Sequence, residues 1–153
     1  MGTASAVTTI PAGIVSSYAL NTPGETYVLG GNVTATTTAL VITANNITLN
    51  GNGYYIRYAS VSGGQGIKID RTNGVTVKNI NCLQNGTATF STGIYVISST
   101  NTLIENSTAR VTTDNSRGIY LSDSDYNTVS NWNWSRCRST ITVLSYQILY
   151  YRS

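Results

Sequence analysis

The chain has no histidine. That removes the commonest general base and metal-ligating side chain, and with it serine–histidine and cysteine–histidine nucleophile systems. Cysteine is nearly absent too. Cys82 and Cys137 are too few for a disulfide framework, and without histidine they make a structural zinc site improbable. Charge is sparse: 10% of the 153 residues are charged, against roughly 25% in an ordinary soluble domain. Low charge signals disorder only when apolar residues are also scarce, and here they make up 41%, so the chain can fold. The net charge is only +3, and three of the nine cations, Arg136, Arg138 and Arg152, lie near the C-terminus. The rest is close to neutral, without the basic stripe that a nucleic-acid partner requires. No apolar run is long enough to span a membrane. Met1–Ser5 has neither the charged nor the apolar region of a signal peptide.

The polar surface is built from Asn, Thr and Ser, with 14 glycines and only two prolines. That palette suits strands joined by tight turns, because Thr is β-branched and Asn and Gly tolerate left-handed turn conformations. A four-residue pattern recurs: Ala39-Leu40-Val41-Ile42, Gly66-Ile67-Lys68-Ile69, Gly93-Ile94-Tyr95-Val96, Gly118-Ile119-Tyr120-Leu121 and, degraded, Thr140-Ile141-Thr142-Val143. Its first apolar residue falls at 40, 67, 94, 119 and 141, in steps of 27, 27, 25 and 22. A second ladder runs through Leu49, Val77, Ile104 and Val129 in steps of 28, 27 and 25. Two ladders that keep pace predict an all-β solenoid with two clear strands per coil. Looser third segments such as 81–90 and 108–116 lie between them.

Alternation puts Ile67 and Ile69, Ile94 and Val96, and Ile119 and Leu121 on the inner face, with Lys68, Tyr95 and Tyr120 facing out. The leading glycine reads as the turn into each strand. Asn79, Asn106 and Asn131, at the register of Gly51, form an expected turn ladder in which each amide bonds the next. Cys82 and Cys137, about two rungs apart, are expected as free thiols, Cys82 filling the core. The organisation expected is an N-terminal cap over 1–23, repeats over 24–131, and an atypical C-terminal cap or truncated, self-associating segment over 132–153.

The phrases Thr43-Ala44-Asn45-Asn46-Ile47-Thr48-Leu49-Asn50-Gly51-Asn52-Gly53 and Gly118-Ile119-Tyr120-Leu121-Ser122-Asp123-Ser124-Asp125-Tyr126-Asn127-Thr128-Val129 carry a resemblance. They look like right-handed parallel β-helix repeats, most similar to the NosD-type, carbohydrate-associated repeats of archaeal and bacterial surface and periplasmic proteins. The likeness covers about residues 22–131. It implies a single-stranded right-handed parallel β-helix of about five to six coils, 22–28 residues each, in an extracellular or cell-surface setting. It does not fix function, because such repeats occur in enzymes, surface-layer proteins and adhesins. The absence of histidine tells against the copper-linked role in the NosD name.

The candidate chemistry is therefore limited. Asp70, Asp123 and Asp125 lie in turns after strands, with Arg71 and Arg117 nearby. Related β-helix lyases pair acidic groups with Ca²⁺ and a basic residue, but solvated turn aspartates give the same pattern. Tyr95 and Tyr120, outward on neighbouring rungs, are the best candidates for a carbohydrate contact, and equally a stabilising cross-strand pair. Tyr54, Tyr55 and Tyr58 are expected to add aromatic surface. The reading is a non-catalytic β-helix module of a surface or extracellular protein, a scaffold or carbohydrate-contacting surface that self-associates through its ends or its C-terminal strand. The alternative is a polysaccharide lyase or hydrolase, or a fragment of one. A polysaccharide or glycan is the expected partner, with no cofactor, no metal, no nucleic acid and no membrane span.

Overall fold

Apolar–polar alternation makes strands such as Gln65–Asp70, Thr92–Ile97 and Arg117–Ser122 bury one face, and the strands pair in parallel with the equivalent strand one coil away. The structure, a computed structural model, describes residues 6–60, 63–132, 141–144 and 148–151. One sheet has seven strands: β1 (Val7–Ile10), β4 (Thr26–Leu29), β7 (Thr48–Asn50), β10 (Thr76–Lys78), β13 (Leu103–Glu105), β16 (Asn127–Ser130) and β18 (Ile148–Tyr151). A second has six: β3 (Tyr18–Leu20), β6 (Leu40–Ile42), β9 (Gln65–Asp70), β12 (Thr92–Ile97), β15 (Arg117–Ser122) and β17 (Ile141–Leu144). A third has five: β2 (Gly13–Ile14), β5 (Val33–Thr34), β8 (Tyr55–Tyr58), β11 (Asn81–Gln84) and β14 (Thr108–Arg110). These are the faces of one parallel β-solenoid of about five turns, with no helix among the described residues.

Both ladders hold residue by residue. Leu40 pairs with Ile67, Ile67 with Ile94, Ile94 with Ile119, and Ile119 with Ile141. Leu49, Val77, Ile104 and Val129 pair in the same way on the seven-stranded sheet. All of these inward side chains from Leu40 to Val129 are essentially shut off from solvent. Each such burial removes about 1.5–3 kcal/mol of apolar exposure. The segments read as looser are strands too: β11 and β14 complete a third inward column, Val33–Ile56–Cys82–Ala109. Cys82 is a free, fully buried thiol in that column. Cys137 lies outside the described residues.

Residues 1–23, expected as a cap, include the first three strands, which pair in register with the coil that follows. In the tail, β17 and β18 continue the six- and seven-stranded sheets in parallel.

The leading glycines have a different cause from the turn role expected of them. Gly66 and Gly93 sit within strands, and neither has a positive φ. A Cβ on Gly93 would lie 2.2 Å from the Cβ of Ala109 and 2.6 Å from the Gly118 carbonyl oxygen. One on Gly66 would lie 2.8 Å from the Cys82 sulfur. Where the six- and five-stranded sheets converge the interior has no space for a side chain on this row, so small residues face each other. Gly93→Ala is therefore expected to lower stability by about 1–3 kcal/mol through overpacking. Urea unfolding measures it, and an unchanged midpoint would remove this explanation of the glycines.

Candidate functional site

Three corners per coil join the strands, and left-handed residues mark them. Asn79, Asn106 and Asn131 have φ of +55°, +47° and +48°. The Asn131 amide donates to Asn106 Oδ1 at 3.1 Å, and Asn79 Nδ2 donates to Asn50 Oδ1 at 3.1 Å. The column thus ends on Asn50 rather than Gly51, whose added Cβ would meet the Asn79 carbonyl oxygen at 2.1 Å.

A second polar column, which sequence reasoning missed, lies inside the corner after the six-stranded sheet. Thr72, Ser99, Ser124 and Asn127 are all buried there. The Thr72 N–H donates to Ser99 Oγ at 3.0 Å, and the Ser99 N–H donates to Ser124 Oγ at 3.1 Å. Each serine hydroxyl donates in turn to the carbonyl two residues back, Ile97 at 2.9 Å and Ser122 at 2.7 Å. Asn127 Oδ1 accepts from the Thr102 N–H at 2.7 Å. These side chains supply the partners that buried backbone needs where the strand ladder is interrupted. Serine is so frequent here that only the column register reveals the role.

The outward column of the six-stranded sheet runs Val41, Lys68, Tyr95, Tyr120, Thr142. The Tyr95 and Tyr120 rings stack with centroids 5.0 Å apart and planes 5° from parallel. That separation is about the rung spacing, so the backbone register alone brings them face to face. The Arg117 guanidinium lies 4.5 Å from the Tyr120 ring centroid, a cation–π arrangement. Each ring spends one face on the other, and edges and hydroxyls remain for an outside ligand. Burial pushes the Tyr95 phenol above its ordinary range; Tyr120 and Asp123 act the same way, against Lys68 and a hydrogen bond with Ser122.

The aspartates are not brought together in one register. Asp70 pairs with Ile97, and Ile97 with Ser122. Asp123 is thus one residue beyond Asp70's row and two coils along, about 10 Å by rung spacing. Asp70 is engaged already: Lys68 Nζ is 2.9 Å from Oδ2 and Arg71 Nε 3.5 Å from Oδ1. Asp123 is exposed at φ +49°, and Asp125 is half-buried in the same corner. Glu25 accepts a hydrogen bond from the Thr8 hydroxyl, which holds its carboxyl below the usual range.

Of the three early tyrosines, Tyr58 is fully buried and adds to the core instead of the surface. Tyr55 is half-buried beneath the Arg57 guanidinium, 5.0 Å from its ring centroid. Arg57, Leu83 and Arg110 form an outward column beside a shallow recess of about 390 Å³.

A family model described as "Periplasmic copper-binding protein (NosD)" matches residues 5–147. The chain belongs to the NosD family. The match is wider than the stretch whose repeats are plain by eye, and takes in the first coil and β17. No curated protein and no solved structure matches. Copper, named in the family description, does not fit the donors of this NosD-family chain. It has no histidine and a single methionine, whereas copper sites draw on imidazole, thiolate and thioether. Burial pushes the Cys82 thiol far above its ordinary range and keeps it neutral. Among the described residues no group of three or more histidine, cysteine or acidic side chains is placed to hold a metal ion. No helix among the described residues is long and apolar enough to cross a membrane.

The two polar sets carry different weights. Ser99→Ala leaves the buried Thr72 N–H without its acceptor and is expected to cost about 1–3 kcal/mol. Asp70→Asn weakens the part-buried pairing with Lys68 and the looser one with the exposed Arg71, and is expected to cost about 1 kcal/mol or less. Urea denaturation of both variants checks the order, which would be reversed if Asp70 were the structural centre of this corner.

Proposed function

We propose that this chain is a non-catalytic β-helix module that works outside the cytoplasm and contacts carbohydrate on the outer face of its six-stranded sheet. The observation that carries the reading is the Tyr95–Tyr120 stack with Arg117 against it and Lys68 one rung below. A rigid register fixes the stack without help from a ligand, and tyrosine offers both an apolar edge and a hydroxyl. Binding therefore needs little ordering of the protein. The family's periplasmic description supports the location. The rival reading, a polysaccharide-cleaving enzyme centred on Asp70 and Asp123, needs two carboxylates converging on one bond. Their register and the ion pairs of Asp70 speak against it. A glycan array probed with the wild type is expected to give hits that Tyr95→Ala and Tyr120→Ala both weaken about tenfold. An array without hits would contradict the carbohydrate reading.

Self-association is a compatible property, favoured by the first coil. Val7 and Ile14 there are 65% and 87% exposed, on strands that have a described neighbour on one side only. Unpaired strand edges beside apolar side chains invite pairing with another chain. Light scattering is expected to give a mass above 16.4 kDa at high concentration, falling to that value for Ile14→Lys. A monomer at all concentrations would exclude it.

A further inference from the structure

Glycine and asparagine adopt positive φ at least cost, although small or polar residues (Ser17, Ala59, Arg71, Ser98 and Asp123) also take left-handed corners here. One corner column shows the preference for glycine and asparagine and a bulky aromatic that departs from it. Gly24, Asn46, Gly74, Asn101 and Tyr126 stand one above the next, linked by bonds from the Gly24, Asn46, Gly74 and Asn101 N–H groups to the carbonyls of Asn45, Asn73, Thr100 and Asp125. Their φ values are +74°, +58°, +71°, +53° and +57°. The coil of β15 and β16 places a bulky aromatic where four earlier coils use glycine or asparagine. At the opposite corner of the same sheet, Phe90 has φ +57° across from Gly63 at +78°, whose N–H donates to the Thr89 carbonyl at 3.3 Å.

Packing does not explain either residue, since Phe90 and Tyr126 are both 64% exposed. Strained positions that the core does not repay are a pointer to function. Their placement is specific. Phe90 stands just before β12, and Tyr126 lies in the corner between β15 and β16, immediately before Asn127, so they mark the two corners that border the six-stranded sheet and its Tyr95–Tyr120 stack. The six residues of a strand separate the two edges by about 20 Å. At the near edge Phe90 borders a recess of about 180 Å³ with Asp114, Asn115, Ser116 and Arg117. Arg117 is also the cation against Tyr120, which makes the surface continuous from Phe90 to the stack.

We propose that Phe90 and Tyr126 supply the exposed ring faces of an extended site for a neutral oligosaccharide lying across the six-stranded sheet. Phe90 takes the CH-rich face of one sugar while Asp114, Asn115 and Arg117 bond its hydroxyls. The stacked tyrosines present edges and hydroxyls in the middle, and Tyr126 holds a further sugar at the far edge. A neutral chain fits better than an acidic one because the three cations Lys68, Arg71 and Arg117 are outnumbered by the four carboxylates Asp70, Asp114, Asp123 and Asp125 around this face. That excess of one negative charge disfavours a polyanion. The inference rests on the carbohydrate reading of the same face and names its ligand class.

The test is calorimetric titration of the full chain with cellohexaose, chitohexaose and, as the acidic counterpart, hexagalacturonate. The wild type is expected to bind one of the two neutral hexasaccharides and to bind hexagalacturonate more weakly. Phe90→Gly and Tyr126→Asn are each expected to weaken binding about fivefold to tenfold. Both variants should keep or raise the melting temperature, because they restore residues suited to the left-handed corner. Unchanged binding in both variants, with loss in Tyr95→Ala and Tyr120→Ala, overturns this inference and leaves the carbohydrate reading standing. A lowered melting temperature makes the rings structural and overturns it too. Preference for hexagalacturonate overturns the neutral class. A wild type that binds none of the three overturns both readings.

Discussion

Parallel pairing between coils is the constraint on which everything else in this molecule depends. Each strand must meet its counterpart one turn back at about 4.8 Å, so a residue inherits its surroundings from the residue below it. An isoleucine placed inward in one coil forces an apolar residue at the same place in the next. A serine that satisfies a backbone group in one corner creates the same need one rung on. From Ile67, Ile94 and Ile119, the next sheet's inward residues, Val77, Ile104 and Val129, lie ten positions on each time. The path back varies: twelve positions from Cys82 to Ile94, but ten from Ala109 to Ile119. The extra length falls in the loop that carries Phe90. Of the two exposed corner aromatics, Phe90 stands where the path relaxes and Tyr126 within the invariant ten-residue path.

That division explains what could be read from residues alone. The six- and seven-stranded sheets were legible because their inward residues are large, alternate with polar ones, and recur at steps that keep pace. The five-stranded sheet was not, since its inward column shrinks from Ile56 to Cys82 and Ala109, and its strands run two to four residues. Its small residues and the glycines at 66 and 93 are one fact, the narrowness of the interior where two sheets converge. Read singly, a glycine before a strand suggests a turn. Only the facing column shows that it marks close approach.

The candidate site was legible in part for the same reason. Tyr95 and Tyr120 share a register, and register is what a repeat reveals. Their face-to-face stack follows from rung spacing, but its consequence, that each ring hides a face, belongs to three dimensions. Asp70 and Asp123 both read as turn residues, yet Asp70 is the last residue of β9 while Asp123 follows β15, and that one-residue offset puts them in different rows. As single residues Phe90 and Tyr126 carry no signal. Aligned in columns, they are the aromatics standing where glycine and asparagine belong, a signal that needs the register before it can be seen.

The recognition proposed lies on one outer face of a rod whose interior is committed to holding the coils together. Backbone amide NMR of the labelled chain, titrated with the neutral hexasaccharide that binds, tests that placement most directly. The predicted result is a set of shift changes confined to the six-stranded sheet and its two corners, strongest around Phe90, Tyr95, Tyr120 and Tyr126. Changes centred instead on the five- or seven-stranded sheet would contradict it.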